Sequence, residues 1–287
     1  MKSRGFPGFF RKGLEMVTQA NVLEEIINAD MILAGIGEEF NRVNILREKE
    51  PAYQDIADAF ENHNMKWMLP AYQEYLRQKH NISVKDSLEK LASILKDKNY
   101  FIVSASTNSQ IYEIPWKREQ FVMPCGSSIY KQCSSCNDSE ILRVTSREWE
   151  EMVILFDRLS EEYKVLNKQA EILHDMKGLL GNCSLCDKKN VLNNVYYEQY
   201  NEASYVDKWK LYTKWLAGSI NRKLVILELG VGMQFPTVIR FPFEKVTFFN
   251  QKAKLFRVNG TLYQMTEELK EKGISIPENA IDWLMNL

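Results

Sequence analysis

The stretch FVMPCGSSIYKQCSSC, residues 121–136, combines a Gly-Ser pair with a C-x-x-C pair, and a second C-x-x-C pair follows at Cys183 and Cys186. Four thiolates are the number that a closed tetrahedral zinc site requires, and each C-x-x-C turn presents two sulfurs to one ion. Two such pairs favour an intracellular metal site over a disulfide framework. The sequence therefore predicts a structural zinc site at Cys133, Cys136, Cys183 and Cys186. The alternative is four reduced thiols without a metal.

The composition is that of an ordinary soluble globular protein. The 287 residues are 45% hydrophobic and 26% charged, and 37 basic against 38 acidic side chains give a formal net charge of -1. This balance provides no overall attraction to nucleic acid or to an anionic membrane. The chain has no run of about eighteen apolar residues and no convincing signal peptide. We therefore expect a cytoplasmic protein without nucleic-acid or membrane partners.

Short apolar runs alternate with helical patterns along the chain. Strands are predicted at 31–34, 100–104, 223–229 and 254–259. Between and around them, helices are predicted at 13–29, 51–98, 145–172, 205–216 and 278–285, with a capping box formed by Ser83 and Asp86. The alternation predicts an α/β fold with a largely parallel, Rossmann-type sheet flanked by helices.

Glycines follow two of the predicted strands. Ala34-Gly35-Ile36-Gly37 ends the first strand, and Gly230 and Gly232 follow the strand at 223–229. Glycines at such positions let backbone N–H groups approach a phosphate, although tight strand-to-helix turns require glycine equally often. Glu38 and Glu39 come directly afterwards and are unfavourable beside a diphosphate unless they point away.

A Thr107-Asn108 pair follows the strand at 100–104. The asparagine is a candidate for orienting a ribose or a water molecule, and the alternative is a solvated turn residue. The three histidines, His63, His80 and His174, lie in helical, charge-rich stretches away from the motifs. We expect them at the surface, and the sequence offers no histidine-based nucleophile system.

Taken in order, these motifs resemble those of a divergent sirtuin from about Ala29 to Asn259. The family's G-A-G-I-S resembles residues 33–37 and its T-N-x-D resembles residues 107–110, with Gln110 in place of the aspartate. The family's His-Gly-Ser resembles residues 125–127, with Cys125 in place of the histidine. Its G-T-S and I-N motifs resemble residues 230–232 and 258–259, whereas its P-x-F-R loop has no clear counterpart after Glu38.

The resemblance implies a Rossmann-like NAD domain built from residues 1–125 and 201–287. It also implies a helical insertion at about 45–98 and a small zinc-binding module at 126–200. NAD is the implied cofactor, and a protein is the implied acceptor substrate. The implied cofactor-binding residues are Ala34, Gly35, Gly37, Thr107, Asn108, Gly230, Gly232 and Asn259, and the implied catalytic positions are Asn108, Gln110 and Cys125.

Two of the catalytic positions depart from the sirtuin pattern. A thiol with a pKa of about 8.5 is a poor base at neutral pH, and Gln110 lacks the negative charge of an aspartate. Deacylation is therefore disfavoured, and we expect ADP-ribosyl transfer, as in the microbial ADP-ribosylating sirtuins that this chain resembles. Other interpretations stay open: Cys125 as an acceptor or nucleophile, Cys125 as a buried space-filling thiol, an inactive NAD or ADP-ribose binder acting through a partner, or a zinc-braced scaffold.

Overall fold

The computed structural model describes residues 19–138 and 140–287. The strands are β1 (Met31–Ile36), β2 (Tyr100–Ser104), β3 (Phe121–Val122), β4 (Gly126–Cys133), β5 (Leu142–Arg143), β6 (Asn190–Asn194), β7 (Leu224–Leu229), β8 (Ala253–Val258) and β9 (Gly273–Ile276). The helices are α1 (Gln19–Asn28), α2 (Val43–Lys49), α3 (Tyr53–Asn62), α4 (Leu69–Lys79), α5 (Lys85–Leu95), α6 (Ser146–Glu162), α7 (Leu166–Gly178), α8 (Val206–Ala217), α9 (Arg240–Phe249) and α10 (Ala280–Asn286).

Six parallel strands form the main sheet, in the order β3-β2-β1-β7-β8-β9. The four strands predicted from sequence are confirmed as β1, β2, β7 and β8. The strand order reverses between β1 and β7, so the loops after these two strands diverge and leave a crevice at their carboxyl ends. The two edge strands, β3 and β9, were not predicted because they are short or only half-buried.

Successive residues of β1 face two different helical layers. Ile32 and Ala34 pack in a core with α5 and α10, whereas Met31 and Leu33 pack in a core with α8 and α9. This alternation follows from the two-residue period of a strand. The sheet is therefore covered by helices on both faces, which explains why its strands appear as unbroken apolar runs in the sequence.

A third core lies beside the main sheet. It joins α3 and α4 to α6, α7 and the three-stranded antiparallel sheet β5-β4-β6, with Phe60, Tyr72 and Phe156 in mutual aromatic contact. The cysteine pairs flank this small sheet, since Cys133 ends β4 and Cys186 precedes β6. The division of the chain into domains at residues 125 and 200 stays a prediction.

Several helix boundaries differ from those predicted. The helix expected over 145–172 is two helices, because the backbone of Val165 is extended between α6 and α7. The capping box expected at Ser83 is wrong: α5 has Val84 at its N-cap, and the Ser83 hydroxyl accepts a bond from the Lys85 N–H instead. Residues 13–18 of the first predicted helix lie outside the described residues. No helix in the described ranges is long and apolar enough to cross a membrane.

Candidate functional site

A cleft with a cavity of about 660 Å³ lies at the carboxyl ends of β1, β7 and β8. The residues that line it include three predicted cofactor-binding residues, Gly230, Gly232 and Asn259, together with Arg42, Arg47 and Tyr196. Both polar atoms of the Asn259 side chain are occupied by backbone groups, because Oδ1 accepts the N–H groups of Thr261 and Leu262 and Nδ2 donates to the Val231 carbonyl. The cleft is at the strand-order reversal, where ligands of doubly wound sheets bind.

The glycines of the first motif are required by close packing. A Cβ on Gly35 would lie 2.7 Å from the Phe243 ring, and a Cβ on Gly37 would lie 2.2 Å from the Val231 Cα. Ala34 is fully buried in β1. The contacts of these residues therefore explain their size without a ligand, and their role in cofactor binding stays a prediction.

Two carboxylates bind the backbone N–H groups at the bottom of the cleft. Glu38 Oε2 accepts the Gly232 N–H at 2.6 Å, and Oε1 accepts the Phe235 N–H at 3.4 Å. Glu39 accepts the N–H groups of Gly260 at 2.9 Å and Ala280 at 2.8 Å. Burial raises the pKa of Glu39, and the two backbone bonds partly oppose that rise. The two side chains that looked unfavourable beside a diphosphate thus point into the cleft, where Glu38 accepts the N–H group of the predicted cofactor-binding residue Gly232.

Other groups in the cleft fit an anionic, hydroxyl-rich ligand. Arg42 and Arg47 bring two guanidinium groups to its wall. Among the described residues that line the cleft, the buried Nε of Arg42 has no hydrogen-bond partner. Thr107, a predicted cofactor-binding residue, is 1% exposed and is not among the residues that line the cleft, although its hydroxyl also has no partner. Buried polar atoms normally have partners, so the Nε of Arg42 marks a place where a ligand can complete the bonding. These groups and the cavity volume fit NAD, provided that Glu38 releases the Gly232 N–H.

Asn108 is fully buried, which makes the solvated-turn alternative wrong. Its Nδ2 donates to the Phe40 carbonyl at 2.7 Å, and its Oδ1 accepts the Gln110 N–H at 3.0 Å. The Gln110 side chain turns away to accept the Val84 N–H at 3.0 Å. Both side chains therefore hold the backbone of the loop after β2, and their catalytic roles stay predictions.

A polar network that the sequence did not predict supports this loop. Asn41 Oδ1 accepts the Ser106 hydroxyl at 2.6 Å and the Thr107 N–H at 3.0 Å. Behind it, the buried Glu74 carboxylate pairs with Arg77 at 2.8 Å and accepts the Ser109 hydroxyl. Burial opposes ionisation of Glu74, but Arg77 and the hydrogen bonds outweigh it, so the Glu74 pKa is lowered. No local sequence signal joins Glu74 on α4 to Ser109, which is 35 residues further along the chain.

Cys125 lies in the turn directly before β4 and is 1% exposed. It packs in the apolar core beneath the main sheet, and burial, followed by the negative charge of Glu38, raises the pKa of its thiol to about 12. The thiol is therefore protonated at neutral pH and cannot act as a general base there. These findings favour the space-filling interpretation of Cys125. No histidine lines the cleft as the structure describes it.

The four zinc-motif cysteines come together as predicted. Their sulfurs lie within 4.8 Å of one another, with Cys133 and Cys186 sulfurs 3.4 Å apart and Cys136 and Cys183 sulfurs 3.6 Å apart. Zinc–sulfur bonds of about 2.3 Å give sulfur–sulfur edges of about 3.8 Å in a tetrahedron, so the cluster fits one zinc ion. The Leu185 N–H points at Cys183 Sγ and lowers the Cys183 pKa to about 6, which favours the thiolate that a metal requires.

Comparison with solved structures identifies the fold. A Sir2 homologue in complex with NAD matches with a TM-score of 0.53 at 12% identity, covering 93% of this chain and 91% of that one. A Sir2 homologue mutant in complex with ADP-ribose matches with a TM-score of 0.51 at 10% identity, covering 94% of both chains. The chain therefore has the sirtuin fold, with a divergent sequence. The resemblance inferred from the motifs is confirmed at the level of the fold.

Two curated relatives are similar in sequence, and no protein-family model matches the chain. A protein ADP-ribosyltransferase of Staphylococcus aureus is 22% identical over 284 residues, which cover 92% of this chain and 85% of that protein. A probable bifunctional ADP-ribose hydrolase/ADP-ribosyltransferase of Fusarium oxysporum is 26% identical over 180 residues, or 61% of this chain. That match spans 28% of the fungal protein.

Proposed function

We propose that this chain is a sirtuin-like, NAD-dependent enzyme that transfers ADP-ribose to a protein, in preference to removing acyl groups from lysine. The observation that carries the proposal is the buried, protonated thiol of Cys125 at the position of the sirtuin base. Deacylation needs a base there to deprotonate the ribose hydroxyl, whereas direct transfer to an acceptor side chain does not. The names of the two curated relatives support the same choice.

The residues of the cleft have separable roles in this proposal. Arg42 and Arg47 neutralise the diphosphate. Asn108 and Gln110 keep the loop after β2 in its shape, so that ligand and acceptor meet in a fixed orientation. Gly230, Gly232 and Asn259 form the floor beneath the dinucleotide. When bound, NAD supplies a glycosidic carbon from which nicotinamide departs with the bonding electrons, leaving that carbon open to the acceptor's nucleophile.

The four-cysteine cluster has a structural role in this proposal. Its cysteines would hold one zinc ion in a closed site without an open coordination position, so the metal would brace β4 against the turn before β6 and take no part in the reaction. The two sheets would then keep a fixed separation at the cleft.

The experiment that tests the proposal compares transfer with deacylation in one preparation. Protein, NAD labelled in the adenylate and cell extract should give labelled protein and free nicotinamide, while an acetyl-lysine peptide stays intact. Arg42→Met should abolish both signals, and Arg147→Met, a change at an 87% exposed side chain on α6, should preserve them. Peptide deacetylation at a rate comparable to transfer would contradict the proposal.

One observation favours a second candidate, an inactive protein that binds NAD or ADP-ribose and acts through a partner. Asn108 has both polar atoms of its side chain occupied by backbone groups, and Gln110 faces away from the loop's ligand side. Saturable ADP-ribose binding without nicotinamide release in any extract would support this candidate instead.

A further inference from the structure

We propose that the protein has a second ligand site, for a small anion with a flat apolar body, in a cavity on the opposite side of α4 from the cleft. This cavity, termed here the aromatic cavity, has a volume of about 500 Å³ and lies between residues 109–118, β4 and the start of α6. Its volume is within the range typical of small-molecule sites. The site does not depend on the proposed function.

Five aromatic side chains line the aromatic cavity: Tyr112, Trp116, Phe121, Tyr130 and Trp149. Three ring contacts hold four of these side chains in place. Tyr112 packs edge-on against Phe121 and Tyr130, with ring centroids 5.7 Å and 6.1 Å apart. Trp116 stacks on Phe121 with a centroid distance of 6.3 Å. Rings held by one another keep their orientation without a ligand. Trp116 and Phe121 are buried behind this aromatic wall, so its accessible part comes from the half-buried rings of Tyr112, Tyr130 and Trp149, which offer a preformed surface for a flat group.

Three cations, Arg118, Arg143 and Lys208, line the same cavity from three different elements. No ion pair joins any of them to an acidic side chain in the described part of the chain. The two carboxylates that line the cavity already have partners, since Glu74 pairs with Arg77 and Glu113 pairs with Lys85. The cavity therefore has an excess of positive charge beside an apolar wall.

The positive charge around the cavity affects the pKa of Lys208. Its pKa is lowered, first by burial and then by the positive charge of Arg118, while Glu119 partly offsets the effect. An anionic group bound between Lys208 and Arg118 would offset the repulsion between these two cations and favour the charged form of Lys208. A carboxylate and a phosphate share this chemistry, and both form strong charge-assisted bonds with lysine and arginine.

The aromatic cavity is separate from the cleft, and the two share no lining residue. Gln73 of α4 lines the cleft, whereas the next residue, Glu74, lines the aromatic cavity together with Ser109. Helix α4 thus forms a wall between the two cavities. A ligand in the aromatic cavity would contact the Ser109–Glu74 hydrogen bond without entering the cleft.

The test uses three matched probes: 1-naphthoate, 1-naphthyl phosphate and neutral 1-naphthamide. Titration by calorimetry, with probe fluorescence as a second readout, should show saturable binding of one or both anions and at least tenfold weaker binding of the amide, since a lost bond to a charged group has an effect of that size. The stronger of the two anions identifies the head group. Equal affinity for the amide, or no saturation by either anion at millimolar concentration, would overturn the proposal.

Three variants locate the binding. Lys208→Met should weaken anion binding about tenfold, whereas Lys210→Met, on the same helix but paired with Asp207 at the surface, should leave it unchanged. Arg47→Met, in the cleft, should also leave it unchanged. A loss in Arg47→Met or in Lys210→Met equal to that in Lys208→Met would place the probe elsewhere and refute the site. Melting temperatures within a few degrees of the parent protein establish that each variant is folded.

Discussion

Replacing Glu38 by glutamine should make the cleft bind ADP-ribose more tightly. The Glu38 carboxylate accepts the Gly232 N–H at 2.6 Å and the Phe235 N–H at 3.4 Å, which is where the phosphates of a dinucleotide would sit in the proposed function. A bound diphosphate must displace that carboxylate and then remain close to its charge. Glutamine keeps the size of the side chain and a carbonyl oxygen for Gly232, but it carries no charge.

The magnitude follows from the charge separation. Coulomb's law gives about 3 kcal/mol for two unit charges roughly 5 Å apart at an effective dielectric constant of about 20, and about 0.8 kcal/mol in bulk water. Because Glu38 is half-buried, an intermediate value of ~1–2 kcal/mol applies. This corresponds to ADP-ribose affinity about 5- to 30-fold higher in Glu38→Gln than in the parent protein.

Calorimetric titration of both proteins with ADP-ribose, at fixed pH and low salt, measures the effect. Glu267→Gln is the matched control, because that glutamate is 83% exposed and paired with Lys270. Its affinity should equal that of the parent protein. Unchanged or weaker binding in Glu38→Gln would refute the competition between carboxylate and diphosphate, and it would place the phosphates of any bound nucleotide away from Gly232.

Three further predictions concern stability and reactivity. Metal analysis should find one zinc per chain, and Cys183→Ser or a zinc chelator should remove it and lower the melting temperature; a metal-free protein of unchanged stability would contradict this. Cys125 should resist alkylation at pH 8 in the folded protein and react once it is unfolded, as followed by mass spectrometry, because its pKa is about 12 and it is 1% exposed. Glu228→Gln should lower the free energy of unfolding by about 3 kcal/mol in denaturant titration, because fully buried Glu228 holds Arg257 at 2.7 Å and Arg240 at 3.1 Å. A decrease below about 0.5 kcal/mol, which is the size expected for an ordinary surface substitution, would show that the contacts of Glu228 with the two arginines contribute little to stability.

The main sheet could be predicted because its four central strands are buried on both faces and therefore appear as continuous apolar runs. The edge strand β9 could not, since three of its four residues are only half-buried and its sequence, Gly273–Ile276, carries no strong period. The break between α6 and α7 was missed for the opposite reason: apolar residues continue through 163–166 at helical spacing, although Val165 is extended. The spacing of apolar residues indicates which face of a helix is buried, but it does not indicate where one helix ends and the next begins.

The candidate site, too, could be predicted only in part. The four cysteines could be predicted because each C-x-x-C turn places two metal ligands next to each other locally. The sequence left open only whether the two turns lie close together in the fold. The partners of Asn108 and Ser109 were not found, because Phe40 and Glu74 are 68 and 35 residues away along the chain. The orientation of Glu38 towards Gly232, 194 residues away, also depends on tertiary structure alone.

Glu38 and Cys125 affect different steps of the proposed reaction, and their effects can be separated experimentally. Glu38 occupies backbone donors of the cleft, so its effect belongs to ligand binding and disappears when its charge is removed. Cys125 lies in the core with a protonated thiol, so its effect belongs to proton transfer and is independent of how tightly a nucleotide binds. If the Glu38→Gln variant binds ADP-ribose more tightly than the parent protein but leaves an acetyl-lysine peptide intact, the effect on binding and the effect on proton transfer are both demonstrated. Because the nucleotide is tightly bound in that variant, the lack of deacylation could not be explained by weak binding. The absence of a base at position 125 would remain as the explanation.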